Sequence, residues 1–269
     1  SRTVAIACIE DMLKDSTKAA NGSSVKSGDL FASIDEDFDP YEKYKNLPDL
    51  TMSELLSLEK KSLGYYLSGH PVDAIGGKIE KLRSRKIGDI TNDIKKASLV
   101  CLINSARQIK DRKGNPLTFI NFDDGSGVMD GVVASDTLET CHGILKEGSI
   151  LILKGTIELD DYKSKDLGDA MYRMRVREVH SLDTELERKV REIMINIEKS
   201  DVSSLDALSE KLGEIKDDFW AHGSCQLNIK VKTGKSEVII SAGEKFKFPP
   251  TLINLTYLEE IFGTNALEI

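Results

Sequence analysis

The chain has 269 residues, 40% of them hydrophobic and 30% charged, with a net charge of −8 at pH 7. That length and apolar content suffice for two compact domains with connectors, and the acidic balance excludes the uniformly basic profile of a dedicated nucleic-acid binder. No apolar run approaches the ~18 residues that span a bilayer, and the first residues lack the basic-then-apolar layout of a secretory signal, so a soluble, cytoplasmic chain without membrane contact is expected.

Residues 1–14 place Val4, Ala7, Cys8, Ile9 and Met12-Leu13 at helical spacing, and a helix is expected within residues 1–20. Residues 21–50 form an acidic linker: Asn21-Gly22-Ser23-Ser24 is followed by a run in which Asp29, Asp35, Glu36, Asp37, Asp39, Glu42 and Asp49 face only Lys43 and Lys45. Such a stretch repels phosphate and builds no core. Residues 51–67 resume a helical pattern, with Leu55, Leu58 or Glu59, Ser62 and Tyr66 on one face, ended by Gly69-His70-Pro71. A second short helix is expected over residues 74–83, which makes residues 51–96 a helical connector.

From Ala97 the hydrophobic period becomes that of strands. The pattern predicts strands at residues 98–110, 117–123 and 128–134, a helix at 136–146 with Ser135 as its N-cap, and strands at 149–159 and 170–179. Three strands, a helix and two strands is the order of the five-stranded OB-fold barrel, here spanning residues 97–182. A charged helix at 182–188 marks a boundary. A small α+β domain follows over residues 183–269: strand 192–197, a helix with Leu205, Leu208, Leu212 and Ile215 on one face, strands 225–231 and 238–241 around Thr233-Gly234-Lys235, and a last helix with Leu252, Leu255, Leu258 and Phe262, closed by Gly263. The expected fold class is therefore mixed α and β, with a helical and linker N-terminal segment, an OB barrel and a C-terminal α+β domain.

The four cysteines, Cys8, Cys101, Cys141 and Cys225, form no C-x-x-C pair, and His70, His142, His180 and His222 are scattered, so reduced thiols and no metal site are expected. No phosphate-binding, nucleophile-elbow or zinc-protease motif is present. Asp123-Asp124 and Asp160-Asp161 are paired carboxylates, but neighbours on a strand point to opposite faces and Asp favours strand-end turns, so they are read as turn residues. No catalytic residue is assigned.

The barrel offers a binding surface instead. OB folds hold oligonucleotides with the first hairpin loop, the loop between the fourth and fifth strands, and the face of strands two and three. Lys110, Arg112 and Lys113 surround the first hairpin turn at Gly114-Asn115, and Tyr162, Lys163 and Lys165 lie in the second loop. On strand two, Leu117, Phe119 and Asn121 share one face and Thr118, Ile120 and Phe122 the other. Ile120 and Phe122 read as core. Phe119 is then a platform for base stacking, or a core residue if a bulge reverses the parity. Arg173, Arg175 and Arg177 alternate on strand five as a phosphate track or a solvated face. In the linker, Ser27-Gly28-Asp29-Leu30-Phe31 reads either as a peptide that docks on a partner's apolar pocket or as an anchor folding back on this chain.

Leu63-Gly64-Tyr65-Tyr66-Leu67-Ser68-Gly69-His70-Pro71, Ala106-Arg107, Arg112-Lys113-Gly114-Asn115, Asp123-Asp124 with Ser126-Gly127, and Val176-Arg177-Glu178-Val179 together resemble the C-terminal region of the α subunit of bacterial DNA polymerase III, a C-family replicative polymerase. The resemblance implies a nucleotidyltransferase parent, a DNA-directed DNA polymerase that uses Mg2+, whose catalytic carboxylates lie in upstream PHP, palm, thumb and fingers domains; residues 1–20 then close the fingers region. It implies no cofactor and no catalysis in this fragment. It further implies that Ser27, Asp29, Leu30 and Phe31 bind the sliding clamp, with Ser27 where relatives often carry glutamine. By the same resemblance the barrel, including Arg107 and the residues above, contacts single-stranded template DNA. The last domain, through Leu252, Leu255, Leu258 and Phe262, then binds the τ subunit of the clamp loader. A second resemblance, carried by Phe119-Ile120-Asn121-Phe122-Asp123-Asp124, is to the anticodon-binding barrel of aspartyl-type tRNA synthetases, which implies an RNA-binding module. A structural scaffold without nucleic-acid contact is the third alternative, separable by salt-sensitive DNA binding.

Overall fold

A computed structural model describes residues 2–20, 42–44, 46–111, 114–141, 143–161, 164, 170–198, 223–233, 236–243, 247–263 and 266–269. The chain divides into two units, Ser1–Gly69 and His70–Ile269.

In the first unit, helix α1 (Arg2–Ala20) is tied to the residues after the linker by the Tyr44 hydroxyl, which donates to Asp11 at 2.7 Å, and by the Leu50 N–H, which donates to Thr3 Oγ1 at 3.1 Å. Helix α2 (Met52–Leu63) starts at a capping box, in which Thr51 accepts from the Glu54 N–H and Glu54 accepts from the Thr51 N–H. It ends earlier than the spacing suggests. Gly64 takes φ 82°, a left-handed C-cap that glycine adopts without steric cost. The buried side of α2 is Leu56 and Glu59: of the two alternatives at the second position of the face, Glu59 is buried and Leu58 exposed, while Leu56 takes the place expected for Leu55. The Glu59 carboxylate accepts from the Leu67 N–H at 2.7 Å, the Ser68 N–H at 2.9 Å and the Ser68 hydroxyl at 2.5 Å, which folds residues 64–68 back along the helix.

The second unit begins with His70 capping a single turn, α3 (Pro71–Ala74). The continuous helix expected over residues 74–83 is instead broken at Gly76 (φ 71°) into a 3-10 turn at Gly76–Ile79, and another follows at Ile87–Asp89. Strands β1 (Lys96–Lys110), β2 (Pro116–Asp123) and β3 (Val128–Val133) lead to helix α4 (Ser135–Thr140), then β4 (Ile150–Leu159) and β5 (Tyr172–Ser181). They close into a barrel in the order β1-β2-β3-β5-β4, in which β3 and β5 are parallel and the other pairs antiparallel. Ser135 is not the cap of α4. Ala134 is, and the helix stops at Thr140 because Cys141 leaves helical geometry and Gly143 takes φ 82°.

The barrel interior alternates as a period of two requires: Leu99, Cys101 and Ile103 from β1, Ile120 and Phe122 from β2, Met129 and Val133 from β3, Leu151 and Leu153 from β4, Met174 and Val176 from β5. Each such side chain contributes about 1.5–3 kcal/mol when removed from water. Two outward residues, Val100 and Ile152, are fully buried as well. They lie where α3 packs on β1 and where α5 (Leu182–Lys189) packs on β4 and β5.

Beyond α5, strands β6 (Glu192–Glu198), β7 (Cys225–Thr233), β8 (Ser236–Ser241), β9 (Lys247–Phe248) and β10 (Leu267–Glu268) form a second sheet in the order β10-β6-β7-β8, with β9 also on β7 and helix α6 (Leu252–Phe262) before the last strand. The helix expected around Leu205–Ile215 and the turn residues Gly234 and Lys235 lie outside the described residues.

Ionic contacts join the second sheet's helices to the barrel and connector. Glu185 on α5 has a fully buried side chain and accepts from Lys154 of β4 at 3.0 Å and from Arg188 at 2.9 Å. Burial pushes its carboxyl up, but the hydrogen bonds from Arg188 and Lys154 and their charges outweigh that and hold it below its ordinary value of 4.5. The lowered pKa means that this contribution to stability is complete above about pH 4.5 and is lost as pH falls through the folded-state value. In a thermal-melting series the wild type should therefore lose its advantage over Glu185→Gln as pH drops below 4.5. A second test concerns the β4–β5 bulge at Lys154/Gly155, where a Cβ on Gly155 would stand 2.3 Å from the Arg175 carbonyl oxygen. Gly155→Ala should cost about 1–3 kcal/mol in denaturant unfolding.

Candidate nucleic-acid interface

On the outer face of β1, β2, β3 and β5, away from the stretches where the connector meets β1 and β3 and where α5 meets β5, the strand register lines up the side chains. Arg107 is the partner of Phe119, Phe119 of Val132, and Val132 of Arg175, so these four form one row across the barrel. With about 4.8 Å between strands the row is about 14 Å long. Arg107 and Arg175 are exposed and Phe119 keeps 44% of its surface in solvent, while Thr118, Ile120 and Phe122 point inward and are buried. The parity expected for β2 therefore holds: Phe119 lies outside the core. An aromatic ring between two unburied guanidinium groups has the parts needed to stack a base and hold the phosphates on either side.

The adjacent row is polar. Asn104 donates to Asn121 Oδ1 at 3.2 Å and Asn121 Nδ2 donates to Asp130 at 2.7 Å, a ladder that fixes the Asn121 amide orientation. Arg173, the register partner of Asp130, also meets Glu158 at 3.4 Å, so its charge is shared with a carboxylate. Such an exposed pair adds little stability. Lys110 ends β1 opposite Pro116 and is exposed. Arg112, Lys113, Tyr162, Lys163 and Lys165 lie outside the described residues, as do Ser27, Asp29, Leu30 and Phe31. The sequence pattern did not single out Val132, which completes the row. Its alternation with Gly131 and Val133 places it outward, but only the β3–β5 pairing aligns it with Arg175.

The Asp123-Asp124 pair is structural. Asp124 is buried and accepts from the Ile87 N–H at 2.8 Å, the Ser126 N–H at 3.0 Å and the Ser126 hydroxyl at 2.6 Å. Asp123 meets His70 Nε2, and since His70 Nδ1 accepts from the Val72 N–H, the proton sits on Nε2, facing Asp123. Among the described residues no group of three His, Cys, Asp or Glu side chains is disposed to hold a metal ion. All four cysteines are free and buried. Burial raises the thiol pKa of Cys101 and Cys141, and pushes that of Cys225 up to about 12. Among the described residues no helix is long and apolar enough to cross a membrane.

On the last helix, Leu255 and Leu258 have no exposed surface and belong to this unit's own core. Leu252 and Phe262 are half-buried, and Ile253, at 78% exposure, is the apolar residue that α6 presents to solvent.

A closed five-stranded barrel with this outer face is an OB fold, and the sequence matches the OB-fold nucleic acid binding domain family over residues 99–182. Along nearly its whole length the chain is also a relative of the DNA polymerase III α subunit. It is 24% identical over 266 residues to that subunit from Pseudomonas fluorescens, covering 98% of this chain and 22% of the relative, and 27% identical over 257 residues to that from Neisseria meningitidis serogroup A, covering 94% and 21%. The chain thus spans about a fifth of the length of these curated relatives. Among solved structures, the SSB domain of a Synechococcus sp. protein aligns with 34% of this chain and 99% of its own (TM-score 0.27, 9% identity), and an aspartyl tRNA synthetase from Entamoeba histolytica with 58% and 30% (TM-score 0.31, 12% identity).

The turn that follows β2 should depend on its buried carboxylate. Asp124→Ala leaves the Ile87 and Ser126 N–H groups without their acceptor, at about 1–3 kcal/mol each, and should lower the melting temperature measurably.

Proposed function

We propose that this chain is the C-terminal, non-catalytic part of a bacterial DNA polymerase III α subunit and that its OB barrel binds single-stranded DNA. The observation that carries the DNA reading is the row Arg107–Phe119–Val132–Arg175: one exposed aromatic platform flanked by two exposed guanidinium groups on the outer barrel face. It supplies local positive charge within a chain whose net charge is −8. Binding is then confined to this face and driven by stacking and phosphate contacts rather than by base-edge readout. The α-subunit relatives support the assignment to replication, and with it a cytoplasmic location.

The parent polymerase would carry the Mg2+-dependent nucleotidyl transfer in regions outside this chain. Within it, the finer roles follow the resemblance: the peptide of Ser27, Asp29, Leu30 and Phe31 docks on the sliding clamp, and the second-sheet region docks on τ, with Leu252, Phe262 and Ile253 as the accessible apolar side chains of α6.

Fluorescence anisotropy of labelled single-stranded and duplex DNA across a salt series tests the barrel reading. The expected result is preference for the single strand and affinity that falls with salt. Phe119→Ala should weaken binding by about 1–3 kcal/mol, and Arg107→Ala and Arg175→Ala should each lower the salt slope by roughly 0.7. No binding at low salt would overturn the reading and leave only the protein-docking roles.

A further inference from the structure

The register row does not stop at β5. Arg175 is the partner of Thr156 on β4, and Thr156 is the partner of Lys96 on β1, so the barrel carries the same outward row on to a lysine about 10 Å farther round. Lys96 is exposed while its neighbour Ala97 points into the core. There the row meets the connector. Ser84 is stitched to β1 by its N–H, which donates to the Ser98 carbonyl at 2.8 Å, and by its hydroxyl, which accepts from the Ser98 N–H at 2.9 Å. That stitch holds Arg85 and Lys86, both exposed, beside the first residues of β1.

The chemistry of this segment differs from that of the chain as a whole. Residues 78–96 hold seven Lys and Arg against three Asp and Glu, in a protein of net charge −8. Lys78 is bound to Glu259, and Arg83 to Glu80. Arg85, Lys86 and Lys96 have no ion-pair partner among the described residues. One carboxylate, Asp93, accepts a hydrogen bond from the Thr91 hydroxyl and lies within reach of the charges of Arg85 and Lys95, so a single negative charge stands near this end of the cation group. A surface of free, solvated cations continuous with an aromatic and arginine row suits a polyanion with regularly spaced charges.

We infer that Arg85, Lys86 and Lys96 form a phosphate-binding extension that carries the nucleic-acid backbone from Arg175 round the barrel onto the connector. This rests on the single-strand reading of the barrel face and lengthens the site. It makes the connector part of the binding surface.

The test compares a short oligothymidylate of about 4 nucleotides with a long one of about 16, by anisotropy over a salt series, for the full chain and for Arg85→Ala/Lys86→Ala/Lys96→Ala. All three side chains are exposed, and a melting curve checks that the variant is folded. Wild type should bind the long strand more tightly. The variant should bind the short strand like wild type, lose roughly tenfold on the long one, and show a salt slope smaller by about 2, the counterion release of three phosphates. A variant indistinguishable from wild type on the long strand would overturn the extension, as would a wild type whose affinity ignores length; in both cases Phe119→Ala still reports on the barrel face. If wild type binds neither strand, the extension and the single-strand reading fall together.

Discussion

The arrangement of the second unit hangs on the buried carboxylate of Asp124. It sits at the end of β2, where the chain leaves the barrel, and accepts hydrogen bonds both from its own turn and from the connector at Ile87. A buried carboxylate must be satisfied, and here one of its donors comes from a distant segment, which ties the two together. Gly127 lies against Ile87, Gly125 against His70, and the Ser126 hydroxyl accepts from the Gly88 N–H, so the turn and the connector fit without room for added side chains.

With residues 70–96 of the connector fixed on the barrel, the second sheet is fixed to both. Lys78 of the connector pairs with Glu259 of the last helix, and Lys189 donates to the carbonyls of Lys81 and Leu82. Glu185 binds Lys154 in the barrel wall. Removing one partner from a buried pair of this kind is costly because the other charge stays behind in a poor solvent for it. These contacts explain why outward residues of β1 and β4, such as Val100 and Ile152, are as buried as the barrel interior. They also decide which side of the barrel stays open, namely the β1-β2-β3-β5 face with Phe119.

That open face is electrostatically divided. One row carries Arg107, Phe119 and Arg175; the next carries Asn121, Asp130, Arg173 and Glu158, in which positive charge is compensated. On the single-strand reading proposed above, a polyanion would be guided along the first row and away from the second, which would reconcile local phosphate binding with an acidic chain.

Much of this was legible in the residues. The period-two pattern of Thr118-Phe119-Ile120-Asn121-Phe122 determined which face of β2 is core and which is open, because alternation is a local property of extended backbone. The strand–helix–strand order determined the barrel, and Gly263 closed the last helix. Other features were not local. The helix expected over residues 74–83 yields to Gly76 and to packing on β1, and the period of Leu255 and Leu258 marks a helix face without saying whether it meets this chain or another. Which cations share a row depends on register between strands far apart in sequence: Arg107, Arg175 and Lys96 become neighbours only when the β3–β5 and β1–β4 ladders close the barrel. Backbone periodicity and turn chemistry were enough for the barrel strands and the inward face of β2; the site had to wait for the fold, because a surface made of single residues from separate strands exists only after those strands have paired.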